Sequence, residues 1–180
     1  MREYLVVGLG NVGCKYNNTY HNLGFDVVDN LISKYDVIRR KELTYVSLVW
    51  IDIEGKSVIV AKPKTYMNAS GSAVKNIMKK YHISLADVIV TCDDLDLPQG
   101  AFRYRTHGSG GTHNGLRDIV RVLESTEFAR VRVGFGPKLA RIPLDKFVVS
   151  HISKDERAII NPAVENATLK IIDFILGKIQ

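Results

Sequence analysis

The residues best suited to chemistry in this chain are one histidine, one aspartate and three asparagines, all outside the apolar runs or at their ends. His21 lies in the polar stretch NVGCKYNNTYHN (11–22). Histidine is the side chain whose unperturbed pKa, about 6.5, falls nearest neutrality, so it can take a proton from water. Asp93 is the matching carboxylate. At the end of a buried run it could fix the imidazole tautomer and stabilise the protonated ring, although Asp94 and Asp96 offer the same group. Asn11, Asn68 and Asn114 are neutral donors and acceptors able to surround a reacting carbonyl. Taken singly, each of these residues has a plainer use, as a structural loop histidine, a cap or a turn residue. Met67 reads as packing. Gly108, Gly110, Gly111 and Gly115 would let a backbone approach a ligand closely.

Other chemistries fit less well. Gly8, Gly10 and Gly13 follow the apolar Leu5, Val6 and Val7 and spell G-x-G-x-x-G, but a dinucleotide site needs a helix opening at the glycines. Here the helical period starts only at Phe25, Val27 and Val28, so a strand runs into a loop of about a dozen residues, the kind of segment that carries function. No G-x-S-x-G elbow and no H-E-x-x-H motif occurs. Cys14 and Cys92 match no nucleophile or metal pattern. A metal site from His21, Asp93, His107 and His113 is conceivable, but His107 and His113 are separated by a glycine-rich loop rather than by helical spacing. Water activated by a histidine, with amides placing the substrate, is the chemistry that remains.

At 180 residues the chain reads as one domain spanning 1–180. Two cysteines without a framework favour a reducing, cytoplasmic setting. The N-terminus enters a strand at once, so neither a signal peptide nor a membrane span is expected. The net charge of +6 is uneven: between Ala101 and Arg141 eight cations, seven of them arginine, face three carboxylates. Arginine suits bidentate phosphate contact, which makes a polyanionic partner plausible.

The elements that must position these groups follow from periodicity. Tyr4 to Leu9 reads as a buried strand and Phe25 to Tyr35 as a helix. Tyr45 to Ile53 and Ser57 to Ala61 flank a hairpin signal. Val74 to Tyr81 is a second helix, and Val88 to Thr91 is a short strand ending in Cys92-Asp93-Asp94. Phe102 to Arg105 alternates like an edge strand, Leu116 to Leu123 is a third helix and Val131 to Phe135 another strand. A C-terminal helix carries Val164, Ala167, Ile171 and Ile175, with Pro162 in its first turn or at a break. This order predicts an α/β fold, a single domain with a mixed, mostly parallel twisted sheet flanked by helices. The polar clusters fall where open α/β sheets bind ligands, beyond the carboxyl ends of strands.

Four motifs in order then resemble bacterial peptidyl-tRNA hydrolase: GLGNVGCKYNNTYHNLG (8–24), KPKTYMNASG (62–71), DDLDLPQG (93–100) and HNGLRDI (113–119). The resemblance covers nearly the whole chain. It implies cleavage of the ester between a nascent peptide and the tRNA 3′ end, recycling tRNA from aborted translation, by a cytoplasmic monomer without a cofactor. Matched residue by residue, it makes His21 the general base and Asp93 its orienting carboxylate. Asn11, Asn68 and Asn114 become substrate-placing amides, and Tyr16, Tyr66, Met67 and His113 line the same cleft. Arg105 and Arg132 fall where the family clamps the tRNA 5′-phosphate. Val12, Tyr20 and Thr112 depart from the usual proline, arginine and glycine, and 136–145, a gate over the cleft, matches loosely.

Overall fold

The computed structural model describes residues 2–179. Its sheet is organised around β1 (Glu3–Gly8), whose residues alternate between two apolar layers, with Tyr4 and Val6 on one side and Leu5 and Val7 on the other. A strand covered on both faces needs this continuous apolar run. β1 pairs in parallel with β4 (Lys56–Pro63) and β5 (Val88–Pro98), and β5 pairs in parallel with β7 (Ala129–Gly136). β3 (Val46–Ile53) returns antiparallel on β4, while β2 (Val37–Glu42) and β6 (Phe102–Arg105) form the antiparallel edges. The order is β2-β3-β4-β1-β5-β7-β6, and only β3 and β6 oppose the common direction. The expected mixed, mostly parallel sheet is therefore present.

On one face α1 (Leu23–Ser33) and α5 (Lys154–Leu176) bury Leu23, Val27 and Leu31 with Ile160, Ala167 and Ile171. On the other, α2 (Ser70–Tyr81) and α3 (Asn114–Leu123) bury Val74, Ile77, Leu116 and Ile119. Each such aliphatic side chain contributes roughly 1.5–3 kcal/mol relative to exposure. A single turn, α4 (Leu144–Phe147), packs Phe147 against Tyr20 and Phe135. The start of α1 presses on the strand ends: a Cβ at Gly24 would lie 2.5 Å from the carbonyl oxygens of both Leu9 and Thr91. That close approach holds the loop before α1 against the sheet.

Three expectations need correction, and one strand was not expected at all. The strand expected over 88–91 runs to Pro98, because β7 continues to pair with it past the end of β1, through Cys92↔Arg132 and Asp93↔Val133. Asp93 thus lies inside a strand. The edge strand β2 was not anticipated: VIRRKE is largely exposed, lacks period-two alternation and is specified by its partner β3. α1 starts at Leu23, two residues before its apolar stripe. Pro162 sits within α5, well past the first turn. Its missing N–H and ring clash cost about 3 kcal/mol, which the apolar face from Ile160 to Ile175 offsets. A capping box at Ser153 and Glu156 starts that helix.

Candidate active site

The loop following β1 is closed by one side chain. Asn22 Oδ1 accepts from the Asn11 backbone N–H at 2.7 Å, and its Nδ2 donates to the Asn11 carbonyl at 2.9 Å. The reciprocal pair draws both ends of the loop together and fixes His21, the residue before Asn22, beside that closure. The His21 backbone N–H donates to the Val148 carbonyl at 2.8 Å, tying this end of the loop to the segment after α4. Sequence reasoning gave Asn22 no role; its place beside the histidine was the only signal.

The imidazole meets Asp93, with Nδ1 at 3.0 and 2.9 Å from the two carboxylate oxygens. A second histidine shares the carboxylate: His113 Nε2 lies 2.9 Å from Oδ1. The His113 tautomer follows from its other nitrogen. As N-cap of α3, Nδ1 accepts from the Leu116 N–H at 3.2 Å, so the proton is on Nε2, which donates to Asp93. Both His113 nitrogens are thus committed, and only ring carbons are left to touch a substrate. Asp93 is 2% exposed. Burial opposes its ionisation, but the two imidazoles overcome that and hold it well below the usual carboxylate range. An ionised Asp93 accepts a hydrogen bond from the His21 Nδ1–H, which keeps the proton on Nδ1 and leaves the Nε2 lone pair available. Burial alone would lower the His21 pKa; the attraction of Asp93 outweighs it and the net direction is upward.

Beside His21 lies a cavity of about 30 Å³, room for a water molecule. Asp94, Thr112, Arg132 and Val148 share its wall. One ligand atom from each of His21, Asp93 and His113 lies within 4.8 Å of the others, so these three could also hold a cation in place of the two shared protons. His107 is not in that group; it is exposed and bonded to Thr106.

The remaining candidates surround this centre unequally. Asn11 is buried, and its Oδ1 accepts from the Met67 N–H at 3.2 Å. Met67 is buried against α3, where a Cβ at Gly115 would lie 2.6 Å from its sulfur, so a side chain there would displace the methionine. Asn68 and Asn114, at the starts of α2 and α3, are exposed and make no side-chain hydrogen bond among the described residues. Tyr66 is 70% exposed, and Tyr16 is half-buried beneath Lys15. Tyr20 donates its hydroxyl to Glu156 and stacks on Phe135 and Phe147 at 4.9 and 5.3 Å.

A second, larger concavity of about 560 Å³ opens at the β6–β7 edge, lined by Arg103, Arg105, Arg130, Arg132 and the glycine-rich loop. The register places Arg103 opposite Arg132 and Arg105 opposite Arg130, so Arg105 and Arg132 are diagonal neighbours, still within reach of long side chains. Arg132 donates to the Ser109 carbonyl at 3.0 Å and lies 3.8 Å from Asp94. Arg130 is 1% exposed and bonds only to the carbonyls of Ser109, Thr126 and Phe128. Burial, with Arg132 nearby, pulls its pKa down to about 10. Its burial was not legible in the alternating ARVRV run.

Comparison with known proteins gives one consistent result. The sequence model of the family described as peptidyl-tRNA hydrolase matches residues 5–179. The peptidyl-tRNA hydrolase of Finegoldia magna is 41% identical over 174 residues, covering 94% of this chain and 91% of the relative. That of Limosilactobacillus reuteri is 42% identical over 182 residues, covering 97% and 94%. The crystal structure of peptidyl-tRNA hydrolase from Acinetobacter baumannii superposes with a TM-score of 0.90 at 34% identity, covering 97% of this chain and 89% of the other.

Proposed function

The chain belongs to the peptidyl-tRNA hydrolase family and is a hydrolase, and from that premise we propose that it cleaves the ester between peptide and tRNA by water activated at His21. The neutral Nε2 removes a proton from water as the oxygen attacks the ester carbonyl. The carbonyl π electrons move to oxygen, giving a tetrahedral oxyanion. Its collapse breaks the bond to the terminal ribose oxygen, and His21 returns the proton to that leaving oxygen. Free tRNA and a peptide carboxylic acid, which ionises, result.

The observation that carries this reading is the double anchoring of Asp93, which fixes the His21 tautomer with Nδ1 occupied and Nε2 available. Asp93 orients the ring and stabilises its cationic form, as a carboxylate does in other histidine-based hydrolases. Asn68 and Asn114 have unengaged amides suited to the carbonyl and its oxyanion; Asn11 acts with them and braces Met67. Arg105 and Arg132 bracket the 5′-phosphate of the tRNA, supplying recognition that ester chemistry lacks. Among the described residues no helix is long and apolar enough to cross a membrane.

The direct test is release of peptide from purified peptidyl-tRNA, with aminoacyl-tRNA as control and a parallel reaction in EDTA. Rapid release from the first substrate, unaffected by EDTA, is expected. No release would refute the assignment, and loss in EDTA with recovery on zinc would shift the chemistry to a cation held by His21, Asp93 and His113.

A further inference from the structure

α4 is a single turn with Phe147 as its one buried residue, yet it supplies part of the wall beside His21. Leu144 within the turn and Val148 after it line the small cavity there. Phe147 joins Tyr20 and Phe135 in a cluster of three buried rings, with centroids 4.9, 5.3 and 5.8 Å apart. Phe135 lines the same cavity, so the cluster backs the wall directly.

Tyr20 is the member of that cluster that belongs to the loop carrying His21, which it immediately precedes. Around it, 18–21 and 148–152 run antiparallel. The Ile152 N–H donates to the Asn18 carbonyl at 2.8 Å, and Thr19 bridges His151. The Tyr20 and His21 N–H groups donate to the Ser150 and Val148 carbonyls at 3.4 and 2.8 Å. These backbone bonds hold the two segments side by side, and the Tyr20 ring adds the seat for Phe147. The hydroxyl reaches a different place, Glu156 near the start of α5, where Gln99 and the Ser153 N–H also donate to the carboxylate. Ring and hydroxyl can therefore be separated by substitution.

We propose that Tyr20 is a positioning residue for hydrolysis: its ring seats α4, through Phe147, so that Leu144 and Val148 close the water-sized cavity beside His21. The proposal rests on the reading of His21 as the base that activates that water. With the ring removed, α4 is free to shift, the cavity opens to solvent, and the attacking water loses its fixed approach to His21. The asparagines and the arginine edge keep their places, so the loss falls on kcat rather than KM. A role in core packing alone predicts lower stability with unchanged kcat.

The test measures kcat and KM for peptidyl-tRNA, well below every melting midpoint, in wild type and five single variants. Tyr20→Leu should lower kcat on the order of tenfold, within the loss that a misplacement of about 1 Å can cause, and leave KM nearly unchanged. Phe147→Leu should show the same signature, and it carries the test if Tyr20→Leu does not fold. Tyr20→Phe keeps the ring and should retain kcat near that of wild type. Phe174→Leu trims the same apolar layer beside Tyr4, near the start of β1, and should lower Tm without lowering kcat. Unchanged kcat in Tyr20→Leu and Phe147→Leu overturns the proposal, as does an equally large loss in Tyr20→Phe or in Phe174→Leu. His21→Ala tests the premise separately: near-normal turnover there would remove the base, a result that the aromatic variants cannot produce.

Discussion

The histidine cleft and the arginine edge treat buried charge in opposite ways. In the cleft, Asp93 is held by two imidazoles, one anchored in turn by the Leu116 N–H, and the loop carrying His21 is closed at its ends and tied to Val148. Little there must reorganise before reaction. At the edge, four arginines share one face, and only Arg132 has a carboxylate, Asp94, within 4 Å among the described residues. In the proposed reading, the His21–Asp93 pair is held in advance, which preorganises it, whereas the arginines of the edge are left to meet a polyanion. Arg132 lines both cavities and marks the boundary between them.

The division is sharpest if each region is broken separately. Asp93→Asn has the largest expected effect, a loss on the order of 10²–10⁴ in rate at saturating substrate. The amide cannot stabilise the imidazolium and can present an N–H to His21 Nδ1, selecting the wrong tautomer. Substrate affinity should change far less, and a rapid-quench time course separates the two. The joint change of Arg105 and Arg132 to alanine comes next and should act mainly through KM for 5′-phosphorylated substrate. Its salt slope should flatten by roughly 0.7–0.9 per phosphate charge no longer neutralised. Unchanged preference for the phosphorylated substrate would dissolve the comparison.

Smaller effects refine it. With neutral His21 as the proposed base and its pKa raised by Asp93, kcat should be low at acid pH and climb through a midpoint above 6.5. A profile with no such limb would exclude His21 as the titrating base. The least change is expected from Tyr20→Phe, which keeps the stack on Phe135 and Phe147 but removes the hydroxyl from Glu156. Together with Ser153 and Gln99, that hydroxyl holds the Glu156 pKa down to about 2 against the effect of burial. The lost bond should cost about 1 kcal/mol and lower Tm by about 2–4 °C, leaving 5′-phosphate preference intact.

The cleft was more legible in the sequence than the edge, for a physical reason. His21, Asp93 and the asparagines announce themselves by residue type and by motif, and strand-end loops are where such groups gather. The extension of β5 through Asp93 could not be read locally, because β7 pairing sets it and buried polar residues break the apolar pattern. The arginine excess was visible as composition. Which arginines face one another depends on register, and Arg130 is buried by the turn from Thr126 and by the Ser109 loop. The strand β2 and the internal Pro162 were hidden for the same reason: packing partners far along the chain decide both.

The measurement that tests the central claim most directly is single-turnover release of peptide from saturating peptidyl-tRNA by wild type, His21→Ala and Arg105→Ala, with tRNA binding measured in parallel. The account predicts that His21→Ala binds tRNA nearly as wild type yet releases peptide roughly 10²–10⁴ times more slowly. Arg105→Ala should bind more weakly and lose far less rate at saturation. A folded His21→Ala protein that releases peptide at close to the wild-type rate would contradict it.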